Sequence, residues 1–255
     1  MLIYPKQINK HNFKFLLALG LASSIIACSP KLTLLKTDKQ LISVSETDPK
    51  DSTILAYYRP YKLKLDSIMN DVVAVSEQEI SKGSPEGPLN NFFADAMYES
   101  AKDQGINFDV AYTNLGGLRI SLPKGEIYRY KIFELMPFEN AFVTVKFTGV
   151  EMQKFFDFIA EGGGDPISGA RFTIQNKKAV EITINNQPFD VSKNYIVLTS
   201  DYMANGGDGG AIFTKGIERI DLDYKLRDAI FQYLEKLNKA GKTLNPTNDG
   251  RIKIK

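Results

Sequence analysis

Apolar residues recur with helical spacing in four segments of the chain, and the residues at the segment ends support helices there. Pro88 stands in the first turn of the second segment, where a proline is tolerated. Thr148 and Glu151 have the spacing of a capping box at the start of the third, and glycines 162–164 follow its last turn. Pro60 is expected to interrupt or begin the first helix. The predicted helices are residues 54–72, 88–101, 149–161 and 224–237.

Shorter apolar runs between these helices have the length and composition of strands. In residues 141–147 apolar and polar residues alternate, which predicts a strand with one buried face. Helices and strands are interspersed without a regular βα repeat, so we predict an α+β fold in which helices pack on a mixed sheet. This single domain is expected to cover residues 54–255. The other predicted strands are residues 72–80, 108–113, 170–175, 179–184, 195–200 and 251–255.

The composition is that of an ordinary globular protein, with 43% hydrophobic and 24% charged residues among 255. The net charge is +2 and both signs are interspersed, so no basic stripe for nucleic acid and no basic amphipathic face for a membrane surface is visible. We therefore expect no nucleic-acid partner.

The N-terminus has the features of a bacterial secretory signal. Lysines precede the apolar segment 15–27, which has the length of a signal-peptide core and is too short for a comfortable membrane-spanning helix. The segment ends in an apolar pair, a small residue and Cys28, a pattern that resembles the lipoprotein box. We predict a signal peptide over residues 1–27 and lipid on Cys28. The alternative is that Cys28, the sole cysteine of the chain, is an incidental small residue.

Residues 28–53 are polar and are predicted to form a flexible tether between the lipid and the domain. The protein is then expected in the bacterial cell envelope, anchored to a membrane and facing its periplasmic or surface side. The one histidine, His11, lies in the predicted signal peptide, so the mature chain is expected to contain no histidine.

Two glycine-rich loops follow predicted strands, at residues 114–119 and 204–210. Glycines allow a ligand to approach the backbone closely. In the first loop, Arg119 offers a planar fork of donors for phosphate or ribose oxygens, and Asn114 offers both a donor and an acceptor for a base edge. Neither loop fits a dinucleotide fingerprint or a phosphate loop. The alternative is that both are plain turns.

Phe138 lies beside a proline turn immediately before the alternating strand. An aromatic ring on such a turn can serve as a stacking platform for a nucleobase. The alternative is that Phe138 packs in the core.

Several ordered segments together resemble the C-terminal substrate-binding domain of the 5′-nucleotidases. These enzymes are periplasmic and ecto-enzymes of the calcineurin-like phosphoesterase superfamily. The resemblance extends over residues 54–255, nearly the whole predicted mature chain. The segments that carry it are residues 84–97, 114–119, 134–149, 168–172, 200–210 and 249–255.

The resemblance implies a nucleotide as ligand and assigns roles to residues of this chain. Asn114 and Arg119 match an asparagine and an arginine that contact the nucleotide in the family. Phe138 matches the first of two phenylalanines that sandwich the base. The predicted substrate-binding residues are Asn114, Gly116, Gly117, Arg119, Phe138, Asn205, Gly207 and Asp208.

The chain departs from the family pattern at three positions. The second base-stacking phenylalanine is expected after the second glycine loop, where this chain has Gly210, and Phe213 is the nearby candidate to replace it. Pro85 stands where the family has an additional substrate arginine. The ribose-binding carboxylate of the family has no firm match in this chain, and Glu218 is a poor candidate for it.

In the family, hydrolysis takes place in a separate N-terminal domain that holds two metal ions. Such a site needs clustered His, Asp and Asn ligands, and the predicted mature chain has no histidine. Asp201 and Asp208 could act as an acid–base pair, but an Asp beside glycine more often caps a turn. We therefore expect no catalytic residue, metal or cofactor in this chain, with divalent metals held by a partner.

The leading hypothesis is a substrate-recognition protein that acts in nucleotide catabolism with a separately encoded calcineurin-like metallophosphatase chain. The alternative is a nucleotide- or nucleoside-binding lipoprotein that works without a catalytic partner. A third possibility is a purely structural envelope protein.

Overall fold

The computed structural model describes residue 34, residues 36–45 and residues 48–255. The predicted signal peptide, Cys28 and part of the predicted tether lie outside the described residues. The chain divides into two compact units, Met1–Asp51 and Ser52–Lys255. The described residues of the first unit form no helix or strand.

The second unit contains six α-helices in the described part of the chain. Thr148 accepts the backbone N–H of Glu151 at 3.3 Å, which confirms the predicted N-cap. The helices are α1 (Ser52–Met69), α2 (Pro88–Asp103), α3 (Arg129–Leu135), α4 (Gly149–Glu161), α5 (Asp201–Ala204) and α6 (Leu226–Lys239).

Eleven strands form three sheets in the same region. The sheets are a β1–β3 pair, a five-stranded sheet in the order β10-β4-β9-β2-β5, and a four-stranded sheet in the order β11-β6-β7-β8. Because β2–β9 and β11–β6 are parallel whereas the remaining pairs are antiparallel, the predicted α+β fold with mixed sheets is confirmed. The strands are β1 (Val72–Ser76), β2 (Val110–Tyr112), β3 (Gly125–Tyr128), β4 (Ala141–Thr148), β5 (Ile167–Ser168), β6 (Ala170–Gln175), β7 (Lys178–Ile184), β8 (Gln187–Pro188), β9 (Asn194–Ser200), β10 (Glu218–Lys225) and β11 (Ile252–Ile254).

Strands β2, β4 and β9 of the five-stranded sheet are buried on both faces, each face covered by its own hydrophobic cluster, whereas the edge strand β10 is mostly exposed. Phe142 and Leu198 belong to the cluster formed with α2 and α6. Val143 and Val197, their neighbours along the strands, belong to the cluster formed with α4 and the four-stranded sheet. The prediction of one solvent-exposed face for β4 is therefore wrong, because helices cover one face and a helix with a second sheet covers the other.

Helix α1 continues through Pro60, so the prediction that this proline interrupts the helix or begins it is wrong. A proline removes one N–H donor and leaves the carbonyl of the preceding turn without its helical partner. No residue of α1 is buried, so that carbonyl, on Ala56, is open to solvent. Among the described residues, none of the helices combines the length and apolarity needed to cross a bilayer.

The topology brings three chain segments together at one edge of the five-stranded sheet. Strands β2 and β9 are parallel, so the segments that follow Tyr112 and Ser200 leave the sheet on the same side. Strand β4 is antiparallel to β9, with Phe142 opposite Ser200, so the segment that precedes β4 arrives at that side as well. Both predicted glycine loops and the Phe138 turn therefore meet at this edge.

Candidate ligand-binding site

A cavity of about 440 Å³ opens at this edge of the sheet. Its volume lies in the usual range of small-molecule sites. Most of the predicted substrate-binding residues meet there, from all three segments. The lining residues are Thr113, Asn114, Gly116, Gly117, Arg119, Met136, Phe138, Asn140, Ser200, Tyr202 and Asp208.

Asp165 lies outside the cavity lining and fixes the first loop by hydrogen bonds to its backbone and to the preceding strand. This residue was not identified from the sequence. One carboxylate oxygen of Asp165 accepts the Leu115 N–H at 2.9 Å, and the other accepts the Tyr112 hydroxyl at 3.0 Å. The Leu115 amide opens the short 3₁₀ turn Leu115–Gly117, so Asp165 fixes the turn from which Asn114 and Arg119 extend. The only sequence signal was an aspartate placed between three glycines and a proline.

Burial raises the pKa of Asp165 to about 6, although the bonds from Leu115 and Tyr112 act in the opposite direction. The negative charge of Asp208 adds to the increase. Burial also raises the pKa of Tyr112 well above its usual value, and the neighbouring Asp165 reinforces that shift. The base of the loop therefore holds an acid that titrates near neutrality.

Arg119 lines the cavity with an exposed side chain. Its backbone N–H donates to the Leu135 carbonyl at 2.9 Å, which fixes the backbone against α3. One guanidinium nitrogen donates to the Gly116 carbonyl at 3.3 Å. Arg119 forms no ion pair with any described residue, so its charge and its remaining donors are available to an anionic ligand.

Phe138 lines the cavity with 42% of its surface exposed, so the core-packing alternative does not hold for it. Its turn is held by Arg227 of α6, a second residue that sequence reasoning missed. The Arg227 guanidinium is buried and donates to the carbonyls of Met136 and Phe138 at 3.2 and 3.3 Å. It also pairs with Glu139 and stacks over the Phe133 ring at 4.2 Å.

The Glu139 carboxylate pairs with two cations, Lys225 through one oxygen and Arg227 through the other. Hydrogen bonds from Lys225 and Arg227 lower its pKa to about 2. The carboxylate is therefore ionised at every physiological pH and keeps Arg227 oriented toward the turn.

A second aromatic side chain, Tyr202, lines the cavity and was not among the predicted residues. Its hydroxyl donates to Asp208 at 2.8 Å, and the other carboxylate oxygen of Asp208 accepts from the Asn114 side chain. The tyrosine ring packs against Gly207, where an added Cβ would lie 2.5 Å from two ring carbons. Glycine at 207 therefore leaves room for the ring, which is 44% exposed.

The position expected to carry the second phenylalanine is crowded by the core. A Cβ on Gly210 would lie 2.8 Å from the Met203 methyl group and 3.0 Å from the Gly207 carbonyl. Phe213 is buried and packs against Tyr112 and Phe155, with ring centroids 5.6 and 5.7 Å apart. Neither Gly210 nor Phe213 contributes to the cavity lining.

Other residues singled out in the sequence lie outside the cavity lining. Asn205 accepts from Arg219 at 2.8 Å. Glu218 pairs with Lys146 at 3.2 Å and lines a different cavity. Asp201 accepts from the Asn140 side chain and from the Tyr202 amide. The N-cap of α5 is Ser200, whose hydroxyl accepts the Met203 N–H at 3.1 Å.

The described residues contain no group of three or more His, Cys, Asp or Glu side chains that could hold a metal ion. Asp208 is the one acid in the described cavity lining, and Asp165 lies behind the first loop; both accept hydrogen bonds from protein groups. The donors and rings of the cavity have the chemistry to hold a polar ligand with an aromatic part.

Comparisons with known proteins agree with this arrangement. The family model for the 5′-nucleotidase C-terminal domain matches residues 71–215. The trifunctional nucleotide phosphoesterase protein YfkN of Bacillus subtilis is 28% identical over 247 residues, which cover 86% of this chain and 16% of the relative. The cell wall protein Lmo0130 of Listeria monocytogenes is 23% identical over 230 residues, 79% of this chain and 29% of the relative.

A solved structure of a 5′-nucleotidase precursor from Thermus thermophilus superposes with a TM-score of 0.65 at 25% identity. The superposition covers 79% of this chain and 42% of the Thermus chain, so this chain spans less than half the length of each of these three relatives. Because the family model covers more than half of the chain, we conclude that the chain belongs to the family of 5′-nucleotidase C-terminal domains.

Proposed function

We propose that this chain is the nucleotide-recognition half of a 5′-nucleotidase-type phosphohydrolase, and that a separately encoded calcineurin-like metallophosphatase chain performs the hydrolysis. The observation that carries the proposal is one cavity in which two exposed aromatic rings meet an arginine that forms no ion pair with a described residue.

Each part of a nucleotide has a chemical counterpart in the cavity. The exposed rings of Phe138 and Tyr202 are suited to stack on a base, each contact being worth about 1–3 kcal/mol. The Asp208 carboxylate keeps acceptor capacity for ribose hydroxyls, because each oxygen receives one bond from the protein. Arg119 supplies the donors for the phosphate. In this assignment Tyr202 takes the place expected for Phe213, and Asp208 the place expected for Glu218.

Hydrolysis requires groups that the described residues do not provide. A two-metal site supplies a water-derived nucleophile and stabilises the leaving oxygen, and no set of side chains in the described region fits such a site. The role of this chain is then to bind the base, the ribose and one side of the phosphate. The bond to be broken stays exposed to the partner.

Helix α1 offers a surface for that partner. Tyr57, Tyr58, Tyr61, Leu65 and Ile68 recur at helical spacing along one face, and each is 40–76% exposed. Exposed apolar stripes rich in tyrosine are typical of protein interfaces. The stripe also directly precedes residue 71, where the match to the family domain begins.

We place the complex at the cell envelope, tethered by lipid on Cys28. The sequence of the N-terminus supports this location, as does the similarity to a cell wall protein of Listeria monocytogenes. A stand-alone nucleotide-binding lipoprotein is the second candidate function, because the cavity needs no partner in order to bind.

The test is affinity purification of the lipidated protein from its native membrane, followed by assay of metal-dependent phosphate release from nucleoside monophosphates. We expect activity in the complex, loss after the partner is removed, and recovery on recombination. Replacing Tyr57 and Tyr61 by Ser should abolish recovery, whereas Leu63→Ser, on the opposite face of α1, should not.

Hydrolysis by the purified mature chain alone, with divalent metal added, would contradict the split arrangement. Saturable nucleotide binding with no associated hydrolase would establish the stand-alone function instead. A chain that binds no nucleotide would support the structural alternative.

A further inference from the structure

Lys82 contacts the first glycine-rich loop, residues 114–119, from the segment between β1 and α2. No residue of that segment has been given a role in nucleotide binding above. Its ammonium group donates to the Leu118 carbonyl at 2.9 Å. The flanking residues fix the position of its backbone: Ile80 and Leu122 exchange two backbone hydrogen bonds of 2.9 and 3.0 Å. On the other side, both backbone polar groups of Gly83 are bonded to the Asn90 side chain.

This contact places a second cation next to Arg119. The Leu118 carbonyl belongs to the peptide group that joins Leu118 to Arg119, so the Lys82 ammonium lies within about 6 Å of the Arg119 Cα. Both cations bond to neutral carbonyls of the same short loop, Lys82 to that of Leu118 and Arg119 to that of Gly116. Neither forms an ion pair with a described residue.

We propose that Lys82 and Arg119 together form a subsite for a doubly charged phosphomonoester. This inference rests on the proposed function, because Lys82 bonds to the carbonyl of Leu118, which stands between the cavity-lining residues Gly117 and Arg119. A phosphomonoester carries about two negative charges at neutral pH, and Arg119 alone neutralises one. The lysine head is a compact charge on a flexible four-carbon stem, so it can leave the Leu118 carbonyl and bind the phosphate without movement of the fixed backbone.

The consequence is discrimination by charge. A nucleoside fills the aromatic part of the cavity but offers nothing to the two cations. A nucleoside 5′-monophosphate satisfies both, so the subsite selects the substrate of a phosphohydrolase over its product.

The test measures the affinity ratio between a nucleoside 5′-monophosphate and its nucleoside by calorimetric titration of the unlipidated mature chain at pH 7.5. The ligands are the adenosine, guanosine, cytidine and uridine pairs, and the pair that binds best is used for the variants. Lys82→Gln should lower the ratio about tenfold, the effect of losing one charged hydrogen bond. Arg119→Gln should lower it at least as much. Lys177→Gln, on the turn between β6 and β7, removes the same charge elsewhere and should leave the ratio unchanged.

A ratio unaffected by Lys82→Gln, in a variant that melts like the wild type, would overturn the inference and leave nucleotide recognition intact. A wild-type ratio near one would also overturn it, because no phosphate subsite would then exist. If neither the nucleotide nor the nucleoside binds, the proposed function fails together with this inference.

Discussion

The Tyr202 hydroxyl donates a 2.8 Å hydrogen bond to Asp208, and the same carboxylate accepts from Asn114, a residue of the other glycine loop. Two loops that are far apart in the chain therefore share one acceptor at the cavity. The aromatic ring and the amide side chain are both held in place before any ligand arrives. Such preorganisation lowers the entropic cost of binding.

Tyr202→Ala should weaken nucleotide binding by about 1–3 kcal/mol, because it removes one stacking surface. Tyr202→Phe should have a smaller effect, because the ring stays on Gly207 and only the anchor to Asp208 is lost. Titration with the nucleotide that binds best measures both. Tyr61→Ala, on the exposed face of α1, is the control and should bind as the wild type does. Equal binding by the wild type and Tyr202→Ala would exclude the ring from the site.

Arg227→Met should weaken nucleotide binding although residue 227 does not line the cavity. The substitution keeps much of the side-chain volume but removes the buried donors from the Met136 and Phe138 carbonyls. We expect a loss of about 2 kcal/mol in the free energy of unfolding and a larger fractional loss in affinity for a nucleotide than for free phosphate. Arg227→Lys should partly restore both.

Lys225→Met is the matched control, since Lys225 also pairs with Glu139 but is exposed and does not bond to the Phe138 turn. Chemical denaturation and calorimetric titration give the two quantities. If Lys225→Met weakens binding as much as Arg227→Met, the Glu139 pairing and not the turn carbonyls would be responsible.

Asp165 should make folding stability depend on pH. The folded protein keeps this proton up to about pH 6, whereas the ordinary pKa of an aspartate is 3.8. The folded state therefore binds more protons between these values, and its stability falls as the pH rises through that window. The effect is at most about 3 kcal/mol. Asp165→Asn should flatten the slope between pH 4 and 6, measured by urea denaturation at a series of pH values.

Asp190→Asn is the control for this experiment. Hydrogen bonds from Ser192 lower the pKa of Asp190 below 3.8, so its contribution lies outside the window of Asp165. The slope between pH 4 and 6 should persist in that variant. An unchanged slope in Asp165→Asn would show that another group is responsible.

Gly210→Phe should fail to add an aromatic wall to the cavity. The new Cβ would meet the Met203 methyl group and the Gly207 carbonyl, and overpacking of this kind costs about 1–3 kcal/mol. We expect a lower melting temperature and no gain in affinity for any nucleotide. Gly209→Asn is the control, because its site is open and its positive φ is one that asparagine tolerates. A gain in affinity by Gly210→Phe would contradict the crowding argument.

Local sequence patterns predicted those helices and strands whose buried side chains repeat at regular helical or strand spacing. The α4 stripe of Met152, Phe155, Phe156 and Ile159 is fully buried, as its spacing indicated. The two glycine loops and Phe138 meet in one cavity because each borders a strand that ends at the same sheet edge. Strand β10 was missed, although apolar and polar residues alternate along it.

The residues that were missed act over long sequence separations. Asp165 bonds to Leu115, fifty residues away, and Arg227 bonds to Phe138, eighty-nine residues away. No periodicity encodes such contacts, because they depend on the order of strands in the sheet. Tyr202 was missed for another reason: its ring packs on Gly207, and a glycine a few residues after an aromatic does not indicate where the ring points.

Each wall of the cavity is fastened from outside by a different residue: the first loop by Asp165, the Phe138 turn by Arg227, and the Tyr202 ring by Gly207. The walls are also bonded to one another: Asp208 accepts from Asn114 and Tyr202, and Asp201, the neighbour of Tyr202, accepts from Asn140 after the Phe138 turn. A substitution in one wall therefore disturbs the next wall through a shared acceptor. A lineage carrying this domain would change the ligand it prefers by paired substitutions across neighbouring walls, while the residues that fasten the walls from outside stay the same.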